Sequence, residues 1–169
     1  EEEEMIVSAL KDVRRVMTGK ACYCRYPLEL LEDFRIRMPY GIIQSKTLYK
    51  NLEGCTEIYI FAATIGTAFD RMIQRSRVRS MAQTAIYQAC GAAAVESVCD
   101  MLNEKLRIEA EAENRHLHRR FSPGYGDLSL ENQKGVFEVL RPQTQIGLTL
   151  MDTLIMAPEK SVTAIIGIE

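Results

Sequence analysis

The sequence predicts an α+β fold, an antiparallel β-sheet packed with one long central helix and shorter helices. Two observations lead there. Glu57 to Ile65 is a run of β-branched and aromatic residues bounded by Gly54 and Gly66, the composition of a central strand. From Thr67 to about Arg115 the pattern turns helical, with strand-like segments gathered toward both ends of the chain, an order that argues against regular βαβ winding.

Glu1 to Glu4 forms an acidic run expected to fray. Met5 to Met17 places Ile6, Leu10, Val13 and Met17 at helical spacing, so residues 1–20 read as an N-terminal helical segment stopped by Gly19. Phe34 to Met38 alternates apolar and basic residues as a half-buried strand does, and Pro39 closes it.

A helix of ~50 residues is long for a globular protein, so a break is needed after Thr67. Ser80 with Gln83 three residues later fits a capping box and divides the stretch into a first helix and a long second one. Ala85, Ala89, Ala92 and Ala93 then form a small-residue stripe along which another element can approach, with Glu96 on the same face. Glu96 therefore faces the packed side, or else pairs with a neighbouring arginine or reaches the rim.

Phe121 to Asp127 reads as a loop, followed by a helix begun by Ser129 with Leu130, Gln133, Phe137 and Leu140 on one face and a stop before Pro142. Gln145 to Met156 and Ser161 to Ile168 read as two strands in a hairpin-like ending, separated by Ala157, Pro158 and Glu159. At 169 residues the chain is expected to form a single domain over 1–169.

Composition narrows the function classes. With 47% hydrophobic and 26% charged residues the chain reads as an ordinary soluble, cytoplasmic protein. No apolar run approaches the ~20 residues that cross a bilayer, so no membrane association is expected. A net charge of −2 gives no general reason to bind nucleic acid. Cys22, Cys24, Cys55, Cys90 and Cys99 are odd in number and lack paired C-x-x-C spacing, as free thiols do. No metal is assigned to Cys22 and Cys24. Nor is one assigned to His116 and His118, since alternate residues on a helix diverge and Arg115, Arg119 and Arg120 surround them as a solvated basic stretch. Arg71, Arg75, Arg77 and Arg79 lie in a segment without acidic residues between Asp70 and Glu96, which either docks on an acidic partner or is simply solvated.

The common catalytic motifs are absent: there is no G-x-S-x-G, H-E-x-x-H, phosphate-binding G-x-x-x-x-G-K or G-x-G-x-x-G. No catalytic residue is assigned. The informative segment is Arg120, Phe121, Ser122, Pro123, Gly124, Tyr125, Gly126, Asp127, where a guanidinium, a rigid proline and two glycines fall together. Such a loop can bring backbone close to a flat ligand, with Arg120 suited to a carboxylate and Tyr125 to an adenine or ribose, or it can merely turn a corner.

The segment R-F-S-P-G-Y (Arg120 to Tyr125), the helix L-E-N-Q-K-G-V-F-E-V-L (Leu130 to Leu140) and the ending I-G-L-T-L-M-D-T-L-I-M-A-P-E-K-S-V (Ile146 to Val162) resemble the activation domain of cobalamin-dependent methionine synthase. The family's R-x-x-x-G-Y loop binds S-adenosylmethionine, and its M-x-P-x-x-S-V segment is matched by Met156, Pro158, Ser161 and Val162. The resemblance is strongest over 57–169 and includes the helix holding Glu96.

The resemblance implies S-adenosylmethionine binding through Glu96, Arg120, Phe121, Ser122, Gly124 and Tyr125. Arg120 would take the ligand carboxylate, the Phe121 and Ser122 backbone its polar edges, and Tyr125 the nucleoside, while Gly124 allows close approach. Glu96 would favour the sulfonium or another polar group. The implied partners are a methionine synthase whose corrinoid module carries the cobalamin and a flavodoxin-like electron donor. The implied activity is reductive methylation of inactive Co(II) cobalamin, by proximity rather than proton transfer.

Larger members of the family hold the ligand's amino group with an N-terminal aspartate near tryptophans and continue beyond the last strand. This chain has no tryptophan and ends at Glu169. With no corrinoid-, homocysteine- or folate-binding module, it is not expected to complete the methionine synthase cycle alone. The alternatives are an S-adenosylmethionine-binding sensor and a non-catalytic interaction subunit of a corrinoid protein complex.

Overall fold

The computed structural model describes residues 1–169. In chain order its elements are α1 (Glu2–Val16), β1 (Lys20–Pro27), β2 (Glu29–Leu30), β3 (Arg35–Met38), β4 (Gly41–Gln44), α2 (Lys46–Leu52), β5 (Glu57–Thr64), α3 (Thr67–Arg79), α4 (Met81–Ala112), α5 (Asn132–Leu140), α6 (Pro142–Ile146), β6 (Thr149–Leu150), β7 (Met156–Ala157) and β8 (Ser161–Ile168). The architecture is α+β with antiparallel sheets. The main sheet has the order β1-β5-β8, and β2-β3-β4 and β6-β7 form smaller ones.

β5 is largely apolar from Ile58 to Ala63 because it is covered on both faces. Ile58, Ile60 and Ala62 pack into a core with Leu48 and Leu52 of α2 and Val136 and Leu140 of α5. The alternate residues Tyr59, Phe61 and Ala63 meet Cys99, Leu102 and Leu106 of α4. A third cluster joins α1, α3 and α4 through Val13, Phe69, Met72 and Tyr87. No helix is long and apolar enough to cross a membrane.

Ser80 divides the helical stretch as its spacing predicts. Its hydroxyl accepts the Gln83 N–H, capping α4. The alanine stripe faces the other way from the expectation: Ala85, Ala89, Ala92 and Ala93 are exposed, and so is Glu96. Close approach occurs instead at Gly91, where the ring of Phe69 occupies the space a Cβ would need. The stripe was misjudged because alanine fits either face of a helix, whereas the larger Tyr87, Val95, Leu102 and Leu106 define the buried one.

Several other expectations need correction. α1 begins at Glu2, its three glutamates lying favourably at the positive end of the helix dipole. Its buried residues are Ala9 and Val13, while Ile6 and Leu10 are exposed. Met17, in extended conformation, ends the helix before Gly19 is reached. β1 and α2 lie in segments to which the sequence reading assigned nothing. α5 starts at Asn132, and Ser129 instead caps the preceding turn by accepting the Glu131 N–H. Pro142 opens α6, where its missing N–H costs nothing. The expected C-terminal hairpin does not form: 145–156 is broken into the end of α6, β6, a turn and the start of β7, which pairs with β6, and β8 pairs with β5.

Candidate functional site

The site begins with an irregularity beside β8. The chain leaving α4 runs antiparallel along that strand, with backbone hydrogen bonds between His116 and Glu169 and from the His118 N–H to the Gly167 carbonyl. Leu117 pairs with Ile168, but Phe121 pairs with Ile165. One side therefore advances by four residues while the other advances by three, which inserts a one-residue bulge at Arg119 and Arg120. In a regular strand Leu117 and Phe121 would share a face. Here Leu117 packs toward α4 and Phe121 packs into the opposite core. The bulge turns Arg120 under α4, the kind of re-aiming that bulges produce.

Arg120 donates from Nη2 to Glu96 at 2.7 Å and from Nη1 to Asp100 at 2.9 Å. Burial works against its charge, but these bonds outweigh it and raise its pKa. The two carboxylates stand one helical turn apart on α4, both largely exposed, while Arg120 is 27% exposed. Nε–H and one hydrogen on each terminal nitrogen remain without protein partners.

The following loop is locked at several points. Phe121 exchanges two 2.8 Å backbone hydrogen bonds with Ile165. Its amide and carbonyl are therefore committed to β8, and its buried ring supports the edge of Tyr125 at a centroid distance of 5.3 Å. Tyr125, 70% exposed, presents its ring to solvent. The Ser122 carbonyl accepts from the Tyr125 N–H, forming the turn in which Gly124 has φ 91°.

Asp127 fastens the loop to α2. Its carboxylate accepts from the Lys46 and Thr47 amides and from the Ser45 and Thr47 hydroxyls, and those hydroxyls hold its carboxyl well below the usual range. Gly126, at φ 56°, lies against Thr47, where a Cβ would sit 2.5 Å from Oγ1. The second glycine of the G-Y-G thus serves a close backbone approach to α2.

Two clefts that share Arg119 and Arg120 result. One, about 450 Å³, is lined by those arginines with Asp100, Asn103 and Glu104. The other, about 370 Å³, adds Asn51, Phe121, Ser122 and Tyr125. Asn51 donates from Nδ2 to the Arg119 carbonyl, while its Oδ1 is buried without a partner.

The structure therefore brings together Glu96, Arg120, Phe121, Ser122 and Tyr125, with Gly124 in the supporting turn. Asp100, Asn51 and Asp127 were not identified from sequence. Asp100 was accessible in principle, since it follows Glu96 at i+4 on the same helix face. Asn51 and Asp127 reach their partners, the Arg119 carbonyl and the start of α2, only through tertiary structure. Met156 and Pro158 precede β8 and Ser161 and Val162 open it, where the Ser161 hydroxyl donates to the Pro158 carbonyl at 2.7 Å and lies 2.9 Å from the Thr64 hydroxyl. The five thiols are unpaired, and burial pushes those of Cys22, Cys55 and Cys99 up to about 11, as expected of packing groups.

No protein-family model matches the chain. No curated protein matches it either. Among solved structures it is similar to the crystal structure of the MetH reactivation domain bound to AdoHcy, with a TM-score of 0.71 and 15% sequence identity. The superposition covers 98% of this chain and 65% of that one. The chain has the fold of that reactivation domain and spans about two-thirds of its length.

Proposed function

We propose that this protein binds S-adenosylmethionine at the Arg120 groove and serves as a reactivation module for a cobalamin-dependent methionine synthase. The observation that carries the reading is the grouping of a guanidinium, two exposed carboxylates and an unobstructed aromatic ring, in the fold of a reactivation domain bound to AdoHcy. S-adenosylmethionine carries a carboxylate, two positive centres and a flat base, and the groove offers a complement to each.

Arg120 takes the ligand carboxylate through its unused N–H groups, already oriented by the acidic residues of α4. Glu96 and Asp100 face the ammonium and sulfonium, and Asp100 fills the role of amino-group partner. Tyr125 supports the adenine. Ser122 offers its amide to the ligand's polar edge, and Gly124 permits the tight turn. Phe121 acts through its ring, since its backbone is already paired.

S-adenosylmethionine supplies the methyl group, and cobalamin on the partner supplies the nucleophilic metal once a flavodoxin-like donor has provided an electron. This chain's contribution is orientation of the methyl donor in a cytoplasmic complex, which needs no general base. The exposed arginines Arg71, Arg75, Arg77 and Arg79 on α3 provide the surface for an acidic partner. Neutralising all four is expected to weaken association with the synthase and flatten its salt dependence.

Calorimetric titration with S-adenosylmethionine, comparing the native chain with Arg120→Ala, tests the reading. Saturable binding that weakens by roughly ten- to hundredfold in the variant is expected, the value of ~1.5–3 kcal/mol for a charge-assisted hydrogen bond. Cobalamin methylation with the partner then separates a reactivation module from a sensor. Association with the synthase without ligand binding would overturn the assignment in favour of a non-catalytic interaction subunit.

A further inference from the structure

We infer that His116, His118 and Glu169 form a site for a borderline divalent transition-metal ion, with Zn²⁺ its natural probe. The inference corrects the expectation that the two histidines diverge. They lie on an extended segment beside β8, where residues two apart project to the same face. His116 and Glu169 are directly opposite one another, exchanging backbone hydrogen bonds of 3.1 and 2.9 Å, so their side chains are cross-strand neighbours. The backbone register thus delivers three donors to one side of the sheet rim.

The side chains converge accordingly. Nε2 of His116 lies 3.1 Å and Nε2 of His118 2.5 Å from the same carboxylate oxygen of Glu169. One ligand atom from each of the three residues lies within 4.8 Å of the others. The stacked imidazoles have centroids 5.6 Å apart, and small side-chain rotations bring the donors to the ~2.0–2.2 Å bonds of zinc. Nδ1 of His118 meets the Asn51 backbone carbonyl. Donation to that carbonyl fixes the ring and directs the Nε2 lone pair outward, as at metal-bound histidines.

Two imidazole nitrogens and one carboxylate oxygen suit zinc and its neighbours in the first transition series better than calcium or magnesium, which prefer all-oxygen shells. The exposed His116 and partly exposed Glu169 leave outer coordination positions for water. The site is separate from the Arg120 groove but shares Asn51 with its border, since the Asn51 side chain lines that cleft. The inference does not depend on S-adenosylmethionine binding.

Metal-free protein titrated calorimetrically with Zn²⁺, with Co²⁺ absorption as a ligand-field readout, provides the test. One equivalent is expected, with Co²⁺ bands characteristic of nitrogen and oxygen donors and no thiolate charge transfer. His116→Ala, at an exposed position, and Glu169→Gln should each weaken binding tenfold or more with unchanged circular dichroism. Absence of saturable Zn²⁺ binding by the folded chain overturns the inference. So does equal affinity in His116→Ala, or binding lost in Cys24→Ser with a thiolate band, because the ion would then sit on the exposed cysteine.

Discussion

Arg120 and Glu96, 24 residues apart in sequence, meet at 2.7 Å, so the guanidinium is aligned before any ligand arrives. Asp100 holds its other terminal nitrogen. Such prior ordering lowers the entropic cost of recognition, since the arginine rotamer is already chosen. On the proposed function, the acidic pair favours cationic ligands. Glu96→Gln should weaken S-adenosylmethionine, whose sulfonium is positive, by roughly three- to tenfold. The neutral thioether S-adenosylhomocysteine should lose less. Calorimetry with both ligands measures the ratio, and equal losses would show that Glu96 acts only through Arg120.

Asp127 ties the Phe121 to Asp127 loop to the first turn of α2 by accepting two amides and two hydroxyls. Asp127→Ala removes the acceptor of all four hydrogen bonds at once. Amide hydrogen exchange at Lys46 and Thr47 should speed up, together with exchange at Tyr125 and Leu128 in the loop. Acceleration confined to α2 would mean that the loop holds its shape through Phe121 and Ile165 alone.

Phe69 lies across the bare backbone of Gly91, where an added Cβ would come within 2.8 Å of Cε1 and Cε2 and closer still to Cζ. Gly91→Ala gains helix propensity but overpacks the contact between α3 and α4, at a cost of about 1–3 kcal/mol. Urea denaturation should show the loss, and Phe69→Leu in the same chain should recover part of it. Neutral behaviour of the single variant would require α3 to slide freely over α4.

Glu57 joins Arg25 and Arg115, whose hydrogen bonds hold its carboxyl near a pKa of about 2. Its folded value is thus depressed below the ~4.3 of an unfolded glutamate. The stability it contributes is present above that value and is lost as pH falls from there toward 2. Partial solvent access keeps the effect modest, on the order of 1 kcal/mol. Glu57→Gln should therefore lower stability at pH 6 and converge with the native chain near pH 2, as followed by urea midpoints.

Local signals were the most legible parts of the sequence. Ser80 with Gln83 located the break between α3 and α4 because a cap depends on residues within one turn. Glu57 to Ile65 read as a central strand from its β-branched and aromatic residues between two glycines, and the strand runs over Glu57–Thr64. The segment 145–156 misled because its apolar residues serve α6, β6, a turn and β7 in succession, none long enough to set a period. At the site, Arg120 and Tyr125 were visible through their local motif. Asn51 and Asp127 were not, since each is fixed by contacts made across more than 60 positions of chain. His116 and His118 were placed on the wrong geometry: the helix ends at Ala112, and their common face follows from pairing with β8.

That pairing has a second consequence, for solubility. A strand at the rim of a sheet exposes unpaired amides and carbonyls to strand addition by another molecule. The backbone bonds at His116, His118 and Phe121 occupy the outer side of β8, leaving the outer rim of β1 as the open side of the main sheet. β1 is bracketed by Lys20 and Pro27, a charge and a residue without an amide hydrogen, both of which disfavour intermolecular pairing. The stretch that aims Arg120 thus also guards the sheet against aggregation.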